Sequence, residues 1–251
     1  MIARLFAMFA ALSLLAGCGD PFPDFHYKMT IYARGKAFSS VRGVEQREVS
    51  SMVDSAGVRV ERILTGEAVI LELDGRTYYA LLTKPDNAEY ATLIPGAALA
   101  PLIPEPTSKS EVAEAVGEVR EVRQRAGDPG YYLDDMAARS RAMTEVEGAK
   151  DLPRRLPVRN GKPAFEAWPM FVTFGDPADP KTVREVSPDV IGVERITIEI
   201  TKEETTTGIA SRLDWYSDYK DRRLDGSSQI MQDLQTTDIR NWLTSAAFTT
   251  R

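Results

Sequence analysis

The sequence is poor in the side chains that carry most nucleophilic and metal chemistry. Its 251 residues include one cysteine, Cys18, and one histidine, His26. His26 follows Cys18 by eight residues, so a Ser-His-Asp triad built on it would have its general base at the edge of the fold. We therefore interpret His26 as a solvated strand residue and predict no catalytic histidine.

Motifs for phosphate chemistry and a basic surface are missing as well. The chain has no P-loop, no dinucleotide fingerprint, no kinase signature and no G-x-S-x-G elbow. Its formal net charge is −6 at pH 7, and the pairs Arg154-Arg155 and Arg222-Arg223 are too short for a nucleic-acid stripe. We expect no nucleic-acid binding, because an acidic protein gains nothing from the phosphate backbone.

The N-terminal residues have the pattern of a secretory signal. Arg4 precedes an apolar run over residues 5–16 that only Ser13 interrupts, and small residues follow it. The run has about 12 residues, whereas a membrane-spanning helix needs roughly 20. We therefore predict that residues 1–17 are a signal peptide that is removed on export.

This segment ends in Leu15-Ala16-Gly17-Cys18, which resembles the lipobox of bacterial lipoproteins at all four positions. The resemblance implies diacylglyceryl transfer to the Cys18 thiol, cleavage between Gly17 and Cys18, and acylation of the new amino terminus. Acylation would leave no thiol for a disulfide, a zinc site or a nucleophile. The alternative is an ordinary secretory signal that contains a cysteine.

Acyl chains rather than charge would hold such a protein at a membrane. Anionic headgroups offer no attraction to an acidic chain. In the sorting rule associated with enteric lipoproteins, an aspartate directly after the acylated cysteine retains the protein in the inner membrane. Here Gly19 holds that position and Asp20 comes one later. We expect a lipid-anchored, periplasm-facing envelope protein, with the outer membrane favoured over the inner membrane.

Alternating and turn-forming residues predict an antiparallel sheet. Apolar and polar residues alternate over 25–32 and again over 193–201, which is typical of strands with one buried face. Asp74-Gly75 separates two strand-like runs and predicts a tight hairpin. Further strands are predicted near 36–49, from Val58 onwards and over 168–174.

The middle of the chain has a different pattern. Five prolines over residues 84–107 predict a linker with at most a short helix. Ser108 and Glu111 have capping-box spacing, and valines follow near helical spacing, so we predict a helical insertion over 108–148. A short helix is predicted over 208–215, while 229–243 is ambiguous and 244–250 looks extended.

These patterns define an α+β fold class, mainly antiparallel β-sheet with a helical insertion in the middle of the chain. Residues 18–24 are the expected lipidated tether, and 25–251 form a single α+β domain. Within it we expect a meander at 25–83, a Pro-rich linker at 84–107, a helical insertion at 108–148 and a second β segment at 164–251.

Acidic clusters and aromatic pairs are the remaining candidates for chemistry or binding. Asp176, Asp179 and Asp189 supply calcium-type ligands, but their spacing does not match an EF-hand and turns are the favoured interpretation. Strand glutamates would suit a hydrolase only if two were held in one groove with unlike pKa values. These glutamates are Glu67, Glu72, Glu194 and Glu199. The aromatic pairs are Tyr78-Tyr79, Tyr131-Tyr132 and Trp215-Tyr216, of which one member of each strand pair is expected in the core.

Three stretches together resemble an uncharacterised family of bacterial envelope proteins. They begin at Thr65-Gly66-Glu67, Pro169-Met170-Phe171 and Arg195-Ile196-Thr197. The family has no activity to carry over, so the resemblance implies export and fold unity only. We expect a non-catalytic binding or assembly module, without a cofactor or metal. Its expected partner is the membrane, and a second envelope protein is left open as a further partner. The alternatives are an envelope hydrolase using paired carboxylates and an accessory protein of a transporter.

Overall fold

The structure is a computed structural model that describes residues 22–50, 58–85, 87–99, 137, 140–156, 165–220, 222–227 and 238–250. Cys18 and the signal segment lie outside the described residues, as do Ser108, Glu111, Tyr131 and Tyr132. The lipidation site, the cap of the helical insertion and one aromatic pair therefore stay predictions.

Strands dominate the described part of the chain. In chain order they are β1 (Phe25–Ala33), β2 (Lys36–Ser50), β3 (Val58–Glu67), β4 (Val69–Leu73), β5 (Arg76–Ala80), β6 (Lys150–Asp151), β7 (Arg155–Leu156), β8 (Phe165–Glu166), β9 (Phe171–Phe174), β10 (Val183–Glu185), β11 (Val193–Thr201) and β12 (Thr249–Thr250). The described residues also form the α-helices α1 (Tyr90–Leu99) and α2 (Pro188–Ile191), and short 3-10 helices at Pro180–Thr182, Ile209–Ser211, Ile239–Asn241 and Ser245–Ala247. The prediction of a mainly antiparallel β protein is confirmed.

The larger sheet has six strands in the order β12-β3-β2-β1-β11-β6. Its pairings are all antiparallel. β1 follows the alternation of its sequence, since Phe25, Tyr27, Met29 and Ile31 are buried while the residues between them are partly exposed. β11 covers the predicted strand over 193–201 and pairs with β1 along its whole length.

A second sheet has the order β10-β9-β5-β4 and contains the predicted hairpin. Asp74 and Gly75 form its turn with φ values of 52° and 73°, the left-handed conformation that a two-residue turn needs. The chain passes from the first sheet to the second at Ala68, between β3 and β4. The predicted meander over 25–83 is thus divided between two sheets.

Two hydrophobic cores lie on the two faces of the second sheet. The first fills the space between the sheets and includes Tyr27, Met29, Ile31, Leu71, Tyr78 and Phe171. The second lies under the C-terminal segments and includes Tyr79, Val172, Phe174, Leu213, Trp215 and Phe248. The chain therefore has three layers, of which the third is built largely from turns and 3-10 helices.

The stretch predicted as a Pro-rich linker contains a ten-residue helix, α1. Tyr90, Ala91 and Ile94 of this helix are buried in the first core. Pro95 has no N–H to donate to the carbonyl of Ala91, four residues earlier. The Tyr27 hydroxyl donates to that carbonyl instead, at 2.6 Å. Tertiary contact thus replaces the hydrogen bond that Pro95 cannot make, and the short helix that the sequence allowed in this linker has ten residues.

Several other boundaries differ from the predictions. The strand expected over 168–174 begins only at Phe171, because Pro169 cannot donate to a ladder. The helix expected over 208–215 is a 3-10 helix at Ile209–Ser211. The stretch 244–250 is extended at Thr244, which bridges to Arg223, and at Thr249–Thr250, with a 3-10 helix at Ser245–Ala247 between them. Within 108–148 the described residues are helical at 137 and 140–144. Phe22, Pro23 and Asp24, expected in the tether, are packed on the domain.

Candidate binding groove

A groove of about 600 Å³ opens between β3, α1 and the C-terminal segment. This is the size range of ligand-binding clefts in proteins. Leu64, Leu82, Ala91 and Trp242 give it an apolar lining. Polar side chains also line it, namely Arg62, Lys84, Glu89 and Thr92. The groove can therefore hold a segment that is partly apolar and partly polar.

Local hydrogen bonds fix the wall of the groove at the start of α1. The backbones of Lys84 and Asn87 bond to each other in both directions, and the Asn87 side chain accepts from the Glu89 N–H. Lys84 Nζ donates to the carbonyls of Glu166 and Trp168, at 2.5 and 3.1 Å. The Lys84 ammonium is therefore used to hold the chain, and the wall is formed before any ligand binds.

The groove lies beside an edge of β3 that has no strand partner among the residues described. β2 pairs with one side of β3 from Gly66 to Val58. On the other side, β12 pairs only with Glu67 and Gly66. An unpaired strand edge is a template for a further strand.

Arg62 and Leu64 direct their backbone groups towards this edge. The Gln46 N–H donates to the Asp24 carboxylate, which lies on the β1 side of β2. Gln46 therefore directs its backbone groups away from β3. Val44 does the same, because residues two apart on a strand direct their N–H and C=O groups to the same side. Arg62 pairs with Gln46 and Leu64 with Val44. Two residues that face each other in an antiparallel pair either exchange two N–H···O=C bonds or both direct their backbone groups away from each other. The N–H and C=O groups of Arg62 and Leu64 therefore face the groove.

Behind the groove lies a buried polar cluster that the sequence analysis did not identify. Arg42 is fully buried, and its guanidinium donates to the Glu67 carbonyl and the Tyr27 hydroxyl. Burial raises the pKa of Tyr27 and raises that of Tyr90 well above the usual value, which the charge of Arg42 partly opposes. The available signal was the position of Arg42, two residues before buried Val44 on the same face of β2.

Gly66 is the residue that makes room for this arginine. Its φ is 119°, and a Cβ there would lie 2.9 Å from the Val41 carbonyl and 3.3 Å from Arg42 Cγ. A side chain at this position would collide with the backbone of β2 and with the stem of Arg42. The glycine thus leaves room for the backbone of β2 and for the stem of Arg42.

The four strand glutamates lie apart in separate contacts. The buried Glu67 carboxylate accepts the N–H groups of Gly208 and Ile209 at 2.7 and 2.9 Å. Glu72 pairs with Arg212, Glu194 accepts the Gly35 N–H, and Glu199 stands opposite Lys28 in the register of β1 and β11. None of the four lines the groove. The arrangement does not assemble them as paired carboxylates.

Turns were predicted for the three aspartates, and the structure has turn contacts at Asp176 and Asp179, whereas Asp189 lies in α2 and forms an ion pair. Asp176 accepts the Ala178 N–H and Asp179 caps the 3-10 helix at Pro180–Thr182. Asp189 pairs with Arg154, and hydrogen bonding to Arg154 holds the pKa of its carboxyl below the usual value. Among the described residues, no group of three or more His, Cys, Asp and Glu side chains is placed to hold a metal ion.

Both described aromatic pairs are buried, so the prediction that one member of each strand pair is in the core is wrong for Tyr78-Tyr79. Tyr78 lies in the first core and Tyr79 in the second, because both faces of the second sheet are covered. Trp215 and Tyr216 also belong to the second core. Trp242 is the partly buried aromatic residue that lies in the groove.

His26 lies on β1 with its side chain on the face opposite the first core. Its Nδ1 lies 2.7 Å from the Glu203 carbonyl, so this nitrogen carries a proton. Lys28 pairs with the carboxylate of the same residue. The two contacts hold the segment after β11 on the sheet, which is a structural use of this histidine.

The described residues contain no helix that is long and apolar enough to cross a membrane. The groove between β3, α1 and Trp242 was not among the candidates that the sequence offered, because its parts come from distant segments. Comparison of the chain with protein-family models, with curated proteins and with solved structures found no match.

Proposed function

We propose that this chain is a lipid-anchored, periplasm-facing envelope protein that acts as a non-catalytic binding module. Acylation of Cys18 in Leu15-Ala16-Gly17-Cys18 would supply the anchor. The groove beside β3 would supply the binding site, and its occupant would be an extended peptide segment of another envelope protein. We retain a helical insertion over 108–148 as part of this proposal.

The observation that carries the binding role is the outward-facing backbone of Arg62 and Leu64. A bound strand would bond to these groups, while its side chains would meet the apolar lining at Leu82 and Trp242. Main-chain bonds give affinity in this mode of recognition, and the pockets for alternate side chains give specificity.

The test is photo-crosslinking in intact cells followed by mass spectrometry of the trapped partners. A crosslinker at Thr92, on the groove wall, should give a discrete adduct with an envelope protein. The same crosslinker at the exposed Ala37 is the control, since Ala37 does not line the groove. Identical adducts at the two positions would contradict a role for the groove.

A matched pair of variants tests the backbone contact itself. Arg62→Pro removes the outward N–H and leaves the bonds to β2 intact, because edge strands tolerate proline on their open side. Arg62→Ala removes the side chain and keeps the N–H. We expect the Thr92 adduct to be lost in Arg62→Pro and kept in Arg62→Ala; an adduct that survives both changes would rule out strand addition.

The membrane assignment is tested by separating the two membranes on a density gradient. We expect the native protein in the outer membrane, since Gly19 rather than aspartate follows Cys18. Gly19→Asp should shift part of it to the inner membrane. High salt should not release the protein, because acyl attachment is apolar. A native protein found wholly in the inner membrane would overturn the assignment.

A further inference from the structure

The folded domain begins very close to the proposed lipid anchor. Phe22 is only 2% exposed and packs with Ala137 and Val60. Three residues, 19–21, separate it from Cys18. Even fully extended, this connection spans roughly 14 Å between the two Cα atoms. The domain therefore cannot move far from the membrane if Cys18 is acylated.

The first residues of the domain are held by a buried glutamine. The Gln46 N–H donates to the Asp24 carboxylate at 2.8 Å, and Gln46 Nε2 donates to the Pro23 carbonyl at 2.9 Å. The same amide lies 2.6 Å from Ser140 Oγ. Gln46 is 7% exposed; its bond to Ser140 is buried, and its bonds to Pro23 and Asp24 are partly buried. The start of the chain is thus part of the body of the domain.

The direction of this start is set by the register of the sheet. Phe25 stands opposite Val44, and β2 continues for six residues beyond Val44 to Ser50. With β3 it forms an arm that extends about 20 Å past the start of β1. Phe22 contacts Val60, which pairs with Glu48 on this arm. The chain therefore runs along the arm towards its end as it approaches Cys18.

We infer that the partner of the arm is a lipid surface, and that the domain stands on the membrane with the end of the arm towards the bilayer. The inference rests on the proposed acylation of Cys18. The opposite end carries the turns at Arg34-Gly35 and Asp74-Gly75, which an Arg34–Asp74 ion pair joins. β1 has nine residues, so this end lies a further 26 Å or so from the membrane.

The short connection between Cys18 and Phe22 sets this orientation, and the charge of the arm does not. Residues 45–62, from β2 through to Arg62 on β3, contain four acidic and three basic residues, namely Glu45, Glu48, Asp54, Glu61, Arg47, Arg59 and Arg62. This stretch has no net positive charge with which to attract anionic lipids. The orientation should therefore be the same on zwitterionic and on anionic vesicles, and should not change with salt.

The single native cysteine makes a direct test possible. Once Cys18 is acylated, an introduced cysteine is the only free thiol and takes a fluorophore alone. Arg47→Cys and Ala37→Cys are a matched pair, since both positions are exposed and lie on the same face of β2, ten residues apart. The acylated proteins are placed in phosphatidylcholine vesicles, with and without phosphatidylglycerol, that carry a headgroup quencher.

We expect quenching several-fold stronger at position 47 than at position 37 in both vesicle types. A 12-residue Gly-Ser insertion between Pro21 and Phe22 adds a reach of roughly 20 Å. It should keep the protein on the vesicles and remove the difference between the two labels. This result would show that the short connection orients the domain.

Two outcomes would overturn the inference in different ways. Equal quenching at the two positions on a protein that floats with the vesicles refutes the orientation and leaves the anchor intact. A difference that survives the insertion refutes the short connection as its cause. A native chain without acyl groups refutes the proposed anchor, and the orientation with it.

Discussion

Removal of the Glu67 carboxylate should destabilise the protein strongly. The side chain is 5% exposed and accepts two backbone N–H groups, those of Gly208 and Ile209, at the start of a 3-10 helix that lacks a cap of its own. Hydrogen bonds to a charged group contribute about 1.5–3 kcal/mol each. We therefore expect Glu67→Ala to lower the free energy of unfolding by about 3–5 kcal/mol. Glu67→Gln keeps one acceptor oxygen and should cost about half as much.

The assay is urea unfolding of the residue 18–251 chain with Cys18 replaced by serine. A loss of 3 kcal/mol should also lower the melting temperature by roughly 6–12 °C for a domain of this size. Glu72→Gln is the control, because the Glu72–Arg212 pair is exposed and should contribute less than about 1 kcal/mol. A Glu67→Ala loss below about 1 kcal/mol, or equal losses at Glu67 and Glu72, would refute the capping role.

Four further predictions concern Gly75, Gly96, Asp238 and Cys18. Gly75→Val should lower the free energy of unfolding by about 1–2 kcal/mol through the φ of 73° alone, since no atom lies within 4 Å of the added Cβ. Gly96→Ala in α1 should raise the free energy of unfolding by up to about 1 kcal/mol. The thermal midpoint should therefore fall in the first variant and rise in the second. Hydrogen bonding to Arg240 lowers the pKa of Asp238 from 3.8 to about 2, so its contribution to stability is present above about pH 4 and is lost as the pH falls towards 2; an NMR titration should show this pKa returning towards 3.8 in Arg240→Ala. Cys18→Ser should abolish labelling with a clickable fatty acid, and label retained on the serine variant would contradict acylation at that residue.

Local patterns were sufficient for the elements that depend on neighbouring residues. The alternation in β1 and β11 reports directly which side chains face the core. The Asp74-Gly75 turn follows from the backbone conformation that those two residues accept. In each case the information lies within about ten residues of sequence.

Long-range contacts decided what local patterns missed. The helix accommodates Pro95 because the Tyr27 hydroxyl donates to the Ala91 carbonyl in place of the missing backbone donor and the core buries Tyr90, Ala91 and Ile94. Tyr78 and Tyr79 are both buried because a C-terminal layer covers the outer face of their sheet. The groove joins β3, α1 and Trp242, which are far apart in the chain. Local sequence periodicity does not predict contacts between segments that are far apart in the chain.

The groove and the short connection together restrict which partners can use the site. Arg62 lies two residues along β3 from Val60, which contacts Phe22. Adding this step to the span from Cys18 to Phe22 places the groove edge within roughly 25 Å of Cys18, the residue proposed to be acylated. A segment bound there must come from a protein that reaches the same distance from the bilayer. A partner held at the same membrane, with its binding segment next to its own anchor or membrane domain, keeps that segment at this distance, so we expect such a partner to be bound in preference to a diffusing one. A soluble periplasmic protein trapped at Thr92 with equal yield in acylated and non-acylated protein would argue against this restriction.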